Sequence, residues 1–167
     1  VMNIVVTIKQ VEDPIIPPTH LVVDAAALRV RSASGAPQVM NGYDANALEE
    51  ALRLKERLGG KVTVIGLADE SARKTLKRAI AMGADAAVLL NDPQWASLDS
   101  QGIAAVLAAA VRKIGKVDLV LCGRQASDSD GGQVLYWLAA ALGMPVVSPV
   151  IGIEEAQADQ LRVQRIL

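Results

Sequence analysis

"CGRQASDSDGGQV" (Cys122–Val134) decides how this chain is read. It follows the apolar run "VDLVL" (Val117–Leu121) and precedes "LYWLAAALG" (Leu135–Gly143). A buried strand runs into a polar, glycine-containing loop, and the loop runs into a helix. Repeated along a chain, that unit builds an open α/β sheet, whose ligands sit beyond the carboxyl ends of the strands.

Strands and helices do alternate on either side of it. "NIVVTIKQV" (3–11) reads as a buried first strand, "KVTVIGL" (61–67) as a second, "AAVLL" (86–90) as a third and "VDLVLCG" (117–123) as a fourth. Helices fall between them, at 41–60, 69–85, 97–115 and 131–144. In the first helix Asn46 and Glu49 have capping-box spacing, with Asp44 as the other candidate cap. Its inner face should carry Ala47, Ala51, Leu54 and Leu58, and Glu49 and Arg53 should pair on the outside. The second should turn Ala72, Leu76, Ala79 and Ile80 inward and end at Gly83. "PVVSPVIGIEE" and "QLRVQRIL" read as two further strands. The segment 12–40 carries four of the seven prolines and reads as an excursion with a small hairpin. The expectation is one nucleotide-binding domain over 1–167. It should be three-layered α/β/α and Rossmann-like, with an open, mostly parallel sheet. The chain stops inside an apparent strand at Arg165-Ile166-Leu167, so a C-terminal portion is expected beyond it.

Composition narrows the function. Of the 167 residues 51% are hydrophobic but only 2% aromatic, so the core is built from Val, Leu, Ile and Ala. Nucleic-acid modules that stack bases need aromatic platforms, and 17 Lys+Arg against 18 Asp+Glu leave no basic stripe for a phosphate backbone. One cysteine, Cys122, excludes an internal disulfide and reads as a small buried residue. With a single histidine, His20, it leaves no His/Cys metal cluster. There is no run of about 18 apolar residues and no secretory pattern before the first strand, so a cytoplasmic protein is expected.

The loop suits an anion. It ends at a helix start, where free N–H groups and the helix dipole attract negative charge. Gly131 and Gly132 let the backbone approach a ligand, and Gln125, Ser127 and Gln133 add neutral hydrogen-bonding groups. Arg124 could pair with a phosphate or a carboxylate. Asp128 and Asp130 fit a phosphate badly; helix capping, an Asx-turn or a bond to a ribose hydroxyl remain open to them. A calcium loop fails because the twelfth position from Asp128 is Ala139. Dinucleotide, P-loop and nucleophile-elbow signatures are absent. Lys9, at the end of the first strand, is either a ligand contact or a solvated lysine.

Several segments together resemble the beta subunit of electron-transfer flavoproteins. They are "MNIVVTIKQV", "NGYDANALEEALRLKE", "KVTVIGL" with "TLKRAIAMGADAAVLL", "DLVLCGRQASDSDGGQV" and "LRVQRIL". The resemblance implies a fold of the adenine-nucleotide-hydrolase type. It implies a heterodimer whose alpha subunit holds most of the redox FAD, and a structural AMP in the beta subunit, replaced by a second FAD in a bifurcating branch. It also implies an electron carrier without catalytic residues of its own, working between flavin dehydrogenases and an acceptor such as a quinone oxidoreductase. Carried over by position, the nucleotide site would comprise Thr7; Asn41, Gly42, Tyr43 and Asp44; Leu67; and Gly123, Arg124, Gln125, Ala126, Ser127, Asp128, Ser129, Asp130, Gly131, Gly132, Gln133 and Val134. The chain departs from the family pattern at Asn41-Gly42 (usually Asn-Pro), Gly131-Gly132 (commonly Thr-Ala) and Leu135-Tyr136 (often Gly-Pro). Family members also continue into an arm that embraces the alpha subunit, which is expected to be absent here.

Overall fold

Side-chain alternation along one strand sets the architecture. In Met2–Ile8 (β1) every residue is apolar except Asn3 and Thr7, and successive side chains face opposite sides of the sheet. A computed structural model describes the chain except Ala27, Ser34, Gly35, Ala158 and Leu167. After β1 come β2 (Gln10–Glu12), β3 (Leu21–Asp24), β4 (Arg29–Ser32), β5 (Gln38–Met40) and α1 (Gly42–Leu58). Then follow β6 (Gly60–Leu67), α2 (Arg73–Met82), β7 (Ala86–Leu90), α3 (Ser100–Ile114), β8 (Leu119–Leu121) and α4 (Val134–Leu142). β9 (Val150–Ala156) and β10 (Leu161–Arg165) end the series.

The central sheet is parallel, in the order β7-β6-β1-β8. β1 is flanked on both sides, with Val5 opposite Thr63 of β6 and Val120 of β8. Its even residues Ile4, Val6 and Ile8 pack with Val62, Val64, Leu48, Ala51, Leu54, Leu76 and Ala79, so α1 and α2 cover one face. Val5 packs with Ile65, Ala104, Leu107, Ala108, Val111 and Leu138, so α3 and α4 cover the other. The result is the three-layered, Rossmann-like arrangement that the alternating pattern implied. No helix among the described residues is long and apolar enough to cross a membrane.

Within 12–40, β3 and β4 form an antiparallel hairpin, and β2 pairs antiparallel with β5. Ala27, Ser34 and Gly35 of that excursion, and Leu167 of "LRVQRIL", lie outside the described residues.

Three local expectations are corrected. α1 starts at Gly42 with Asn41 as its N-cap, so Asn46 and Glu49 are one helical turn inside it and form no capping box. Long-range bonds to its first turn fix the start instead. Its inner face is centred on Leu48, Ala51 and Leu54, all fully buried, while Ala47 and Leu58 are half-buried; the pair Glu49–Arg53 does form, at 3.1 Å. In α2, Ile80 is 42% exposed and Thr75 is buried, because residues 72, 75, 76 and 79 already complete the inward stripe. Residues 145–149 join no strand: Pro145 and Pro149 lack the N–H a ladder needs, and β9 begins at Val150 to pair antiparallel with β10.

Candidate functional site

β1 and β8 end side by side, and the first turn of α1 lies across both. Asn41 is 1% exposed and Asp44 6%, although both are polar. Buried polar groups persist only when bonded, and each of these ties distant pieces of chain together. Asp44 Oδ2 accepts from Lys9 N at 2.8 Å and Oδ1 from Gly123 N at 3.1 Å, which joins the ends of β1 and β8. Asn41 Nδ2 donates to the carbonyl of Gln125 at 2.9 Å, and its Oδ1 accepts from Ser127 N at 3.2 Å. Its own N–H donates to the Lys9 carbonyl at 2.9 Å. The side chain that would have capped α1 is thus spent on the loop after β8, and α1 has no side-chain cap. Burial is the main cause that pushes the Asp44 carboxyl up from 3.8 to about 6; the N–H of Lys9, Asn41, the N–H of Gly123 and the Lys9 charge all pull the other way.

Glycine at 123 is demanded by this close approach. A Cβ there would stand 2.8 Å from Asp44 N and overlap Asp44 Oδ1. Beyond it the loop closes on itself, with Asp130 N bonded to the Ala126 carbonyl at 2.8 Å and Asp130 in the left-handed region at φ 49. The two loop carboxylates cap nothing, which corrects one of the roles open to them. Asp128 pairs with Lys9 Nζ at 2.8 Å, and Asp130 Oδ1 accepts from Gln125 Nε2 at 2.8 Å. Arg124 lies over the Tyr43 ring, 5.4 Å from its centroid.

These elements enclose a cleft of about 190 Å³. One water needs roughly 10–15 Å³ of such space, so this is a ligand-sized opening rather than a packing defect. Of the residues singled out from sequence, Thr7, Asn41, Asp44, Leu67, Gly123–Ala126, Ser129, Gly131, Gly132 and Val134 line it. Gly42, Tyr43, Ser127, Asp128, Asp130 and Gln133 do not. Lys9 joins the lining, as do Ile8, Ile65, Cys122 and Leu135. Sequence reading missed Ser100, Ile103 and Leu107 of α3, which form one wall. Their helical spacing reads as core; only the strand order, which sets α3 beside β6 and β1, shows that they reach the cleft. Cys122 is half-buried at the base, and burial pushes its thiol up to about 11 against a hydrogen bond with Thr7.

The two helix starts at the cleft differ electrostatically. α1 already carries the Asp44 carboxylate in its first turn. α4 carries no acidic residue there, has no side-chain cap, and meets the cleft through Val134 and Leu135. Its free N–H groups make it the end suited to an anion, and Gly131 and Gly132 beside it leave the backbone accessible.

A family model described as "Electron transfer flavoprotein domain" matches residues 30–167. "Electron transfer flavoprotein subunit beta" of Thermoanaerobacterium thermosaccharolyticum is 42% identical, over 99% of this chain and 61% of the relative. "Caffeyl-CoA reductase-Etf complex subunit CarD" of Acetobacterium woodii is 42% identical, over 94% of this chain and 59% of its own. "Protein FixA" of Azorhizobium caulinodans is 41% identical, over 86% and 50%. The chain therefore spans about three fifths, or less, of these relatives.

Proposed function

The chain belongs to the electron transfer flavoprotein family, and on that premise we propose that its cleft holds an adenine nucleotide, AMP, within a beta-type electron-carrier subunit. Its partner would be an alpha-type subunit that holds the FAD. The redox chemistry resides in that flavin; AMP supplies none and acts as a structural ligand. The observation that carries the reading is the cleft at the ends of β1 and β8, into which the uncapped start of α4 opens. The residues present fit the group. Gly131, Gly132 and Val134 would hold the phosphate through backbone N–H groups. The apolar wall of Leu67, Ile65, Ile103 and Leu107 would receive the base, with Thr7 at the strand end. Asn41, Gly42, Tyr43 and Asp44 would shape the site from α1, and Gly123–Asp130 would wrap it.

In this reading the chain carries no catalytic residue. It keeps a nucleotide-stabilised surface against the flavin subunit, and the pair passes electrons between flavin dehydrogenases and an acceptor such as a quinone oxidoreductase. The names of the relatives, two of which specify an electron transfer flavoprotein subunit or complex, support the carrier role.

The test is to denature the purified protein and identify what it releases by absorbance and mass. AMP supports the proposal. One equivalent of FAD would replace AMP by a second flavin in the same cleft. No released nucleotide, together with no heat of AMP binding to the emptied protein, would overturn it. Co-expression with an alpha subunit that gives no flavin-containing complex would leave a stand-alone nucleotide-binding module.

A further inference from the structure

The loop 123–132 is fastened very unevenly. Its first half is held by part-buried bonds to two buried side chains: Gly123 to Asp44, and Gln125 and Ser127 to Asn41. Its second half, which carries Gly131 and Gly132 to the start of α4, is held differently. Among the described residues, the single hydrogen bond or ion pair from residues 128–132 to any other element is Asp128 to Lys9, at 2.8 Å. Ser129 and Asp130 bond only within the loop. Lys9 is a firm anchor for such a bond, because its N–H is held by Asp44 and its carbonyl by Asn41. Lys9 lines the cleft, while Asp128 stands outside the lining.

We propose that Lys9 and Asp128 form a clasp over the cleft, positioning the distal half of the loop, and that a nucleotide enters and leaves when this ion pair opens. This rests on the nucleotide reading above. Lys9 is then a positioning residue that acts through Asp128, not a phosphate ligand. Both side chains are partly exposed, at 46% and 36%, so the pair is weak and salt-sensitive, as suits a contact that must open repeatedly. The bonds to the buried Asn41 and Asp44 side chains stay closed and act as the hinge side.

The experiment compares the full chain with Lys9→Met, Asp128→Asn, the double variant and Lys9→Arg. Entry and release of a fluorescent methylanthraniloyl-AMP are followed by stopped flow, with AMP as chase. Expected is a rise of roughly two- to fivefold in both rates, the scale of an exposed ion pair, with the dissociation constant changed less than about twofold. The double variant should match the single ones, Lys9→Arg should restore both rates, and added salt should accelerate only the parent and Lys9→Arg. If Lys9 instead ligates the phosphate, Lys9→Met weakens AMP but not adenosine, while Asp128→Asn tightens AMP; that pattern overturns the clasp. A second readout needs no ligand. Amide exchange at 128–132 should quicken in Lys9→Met and Asp128→Asn while 123–127 is unchanged, and equal protection overturns the clasp even if AMP never binds. Failure of AMP binding with altered exchange would refute the nucleotide reading alone.

Discussion

Asp44 offers a stability test that reads the site without any ligand. The residue is 6% exposed, and burial raises its carboxyl from 3.8 to about 6. The folded chain therefore keeps a proton at pH values where the unfolded chain has released it. The stabilisation from this group is complete below the unfolded value and is lost as pH rises through about 6. A shift of about two units corresponds to about 3 kcal/mol across that whole window, and the same linkage gives about 1.3 kcal/mol between pH 7 and pH 5. The perturbation is Asp44→Asn, which cannot titrate. Asparagine turns its amide toward one of the two N–H donors, Lys9 or Gly123, and so introduces a pH-independent offset. Urea unfolding of both nucleotide-free proteins at the two pH values cancels every other titrating group. The stability difference should move by about 1.3 kcal/mol in favour of the parent on acidification. Parallel behaviour of the two proteins would refute the burial argument. Movement in the opposite sense would mean that the N–H donors and Lys9 outweigh desolvation, and that Asp44 titrates as an ion-paired carboxylate.

Gly123→Ala places a methyl group 2.8 Å from Asp44 N, so it should destabilise by about 1–3 kcal/mol through overpacking, seen as a lowered thermal midpoint. Asn41→Ala removes two bonds to the loop; about 1–3 kcal/mol should be lost, with faster amide exchange at 123–127 and none in β6, and unchanged loop protection would dismiss the anchoring role. Cys122, with its thiol pushed up to about 11, should react slowly with an aromatic disulfide reagent at pH 8. It should release one equivalent at once in denaturant, and fast native labelling would contradict the raised thiol.

What was legible in the sequence was whatever local pattern decides. The alternation in "NIVVTI" and "KVTVIGL" places Val5 and Ile65 on one face and Ile4, Val6, Val62 and Val64 on the other, and that is enough for two helix layers on a parallel sheet. The helix end marked by Gly83 is equally local. Illegible was every contact that spans the chain. Asn46 and Glu49 match a capping box, a motif of about 1 kcal/mol. The true start at Asn41 is fixed by bonds to residues 84 and 86 positions away, which no window can contain. The same holds for Lys9 and Asp128, 119 positions apart, and for Ser100, Ile103 and Leu107, whose role depends on strand order.

The two carboxylates of the loop show why residue type alone misleads about a site. Read in isolation, aspartates beside a glycine pair argue against an anion, since like charges repel. In the fold, Asp128 is matched by the Lys9 ammonium and Asp130 by the Gln125 amide. Neither lines the cleft, and neither reaches the first turn of α4. The acidic residues therefore brace a loop that lines the cleft with Arg124, Gln125 and Ser129 as well as with its glycines. Side-chain substitutions at 128 and 130 should consequently alter how the loop is held before they alter what it holds.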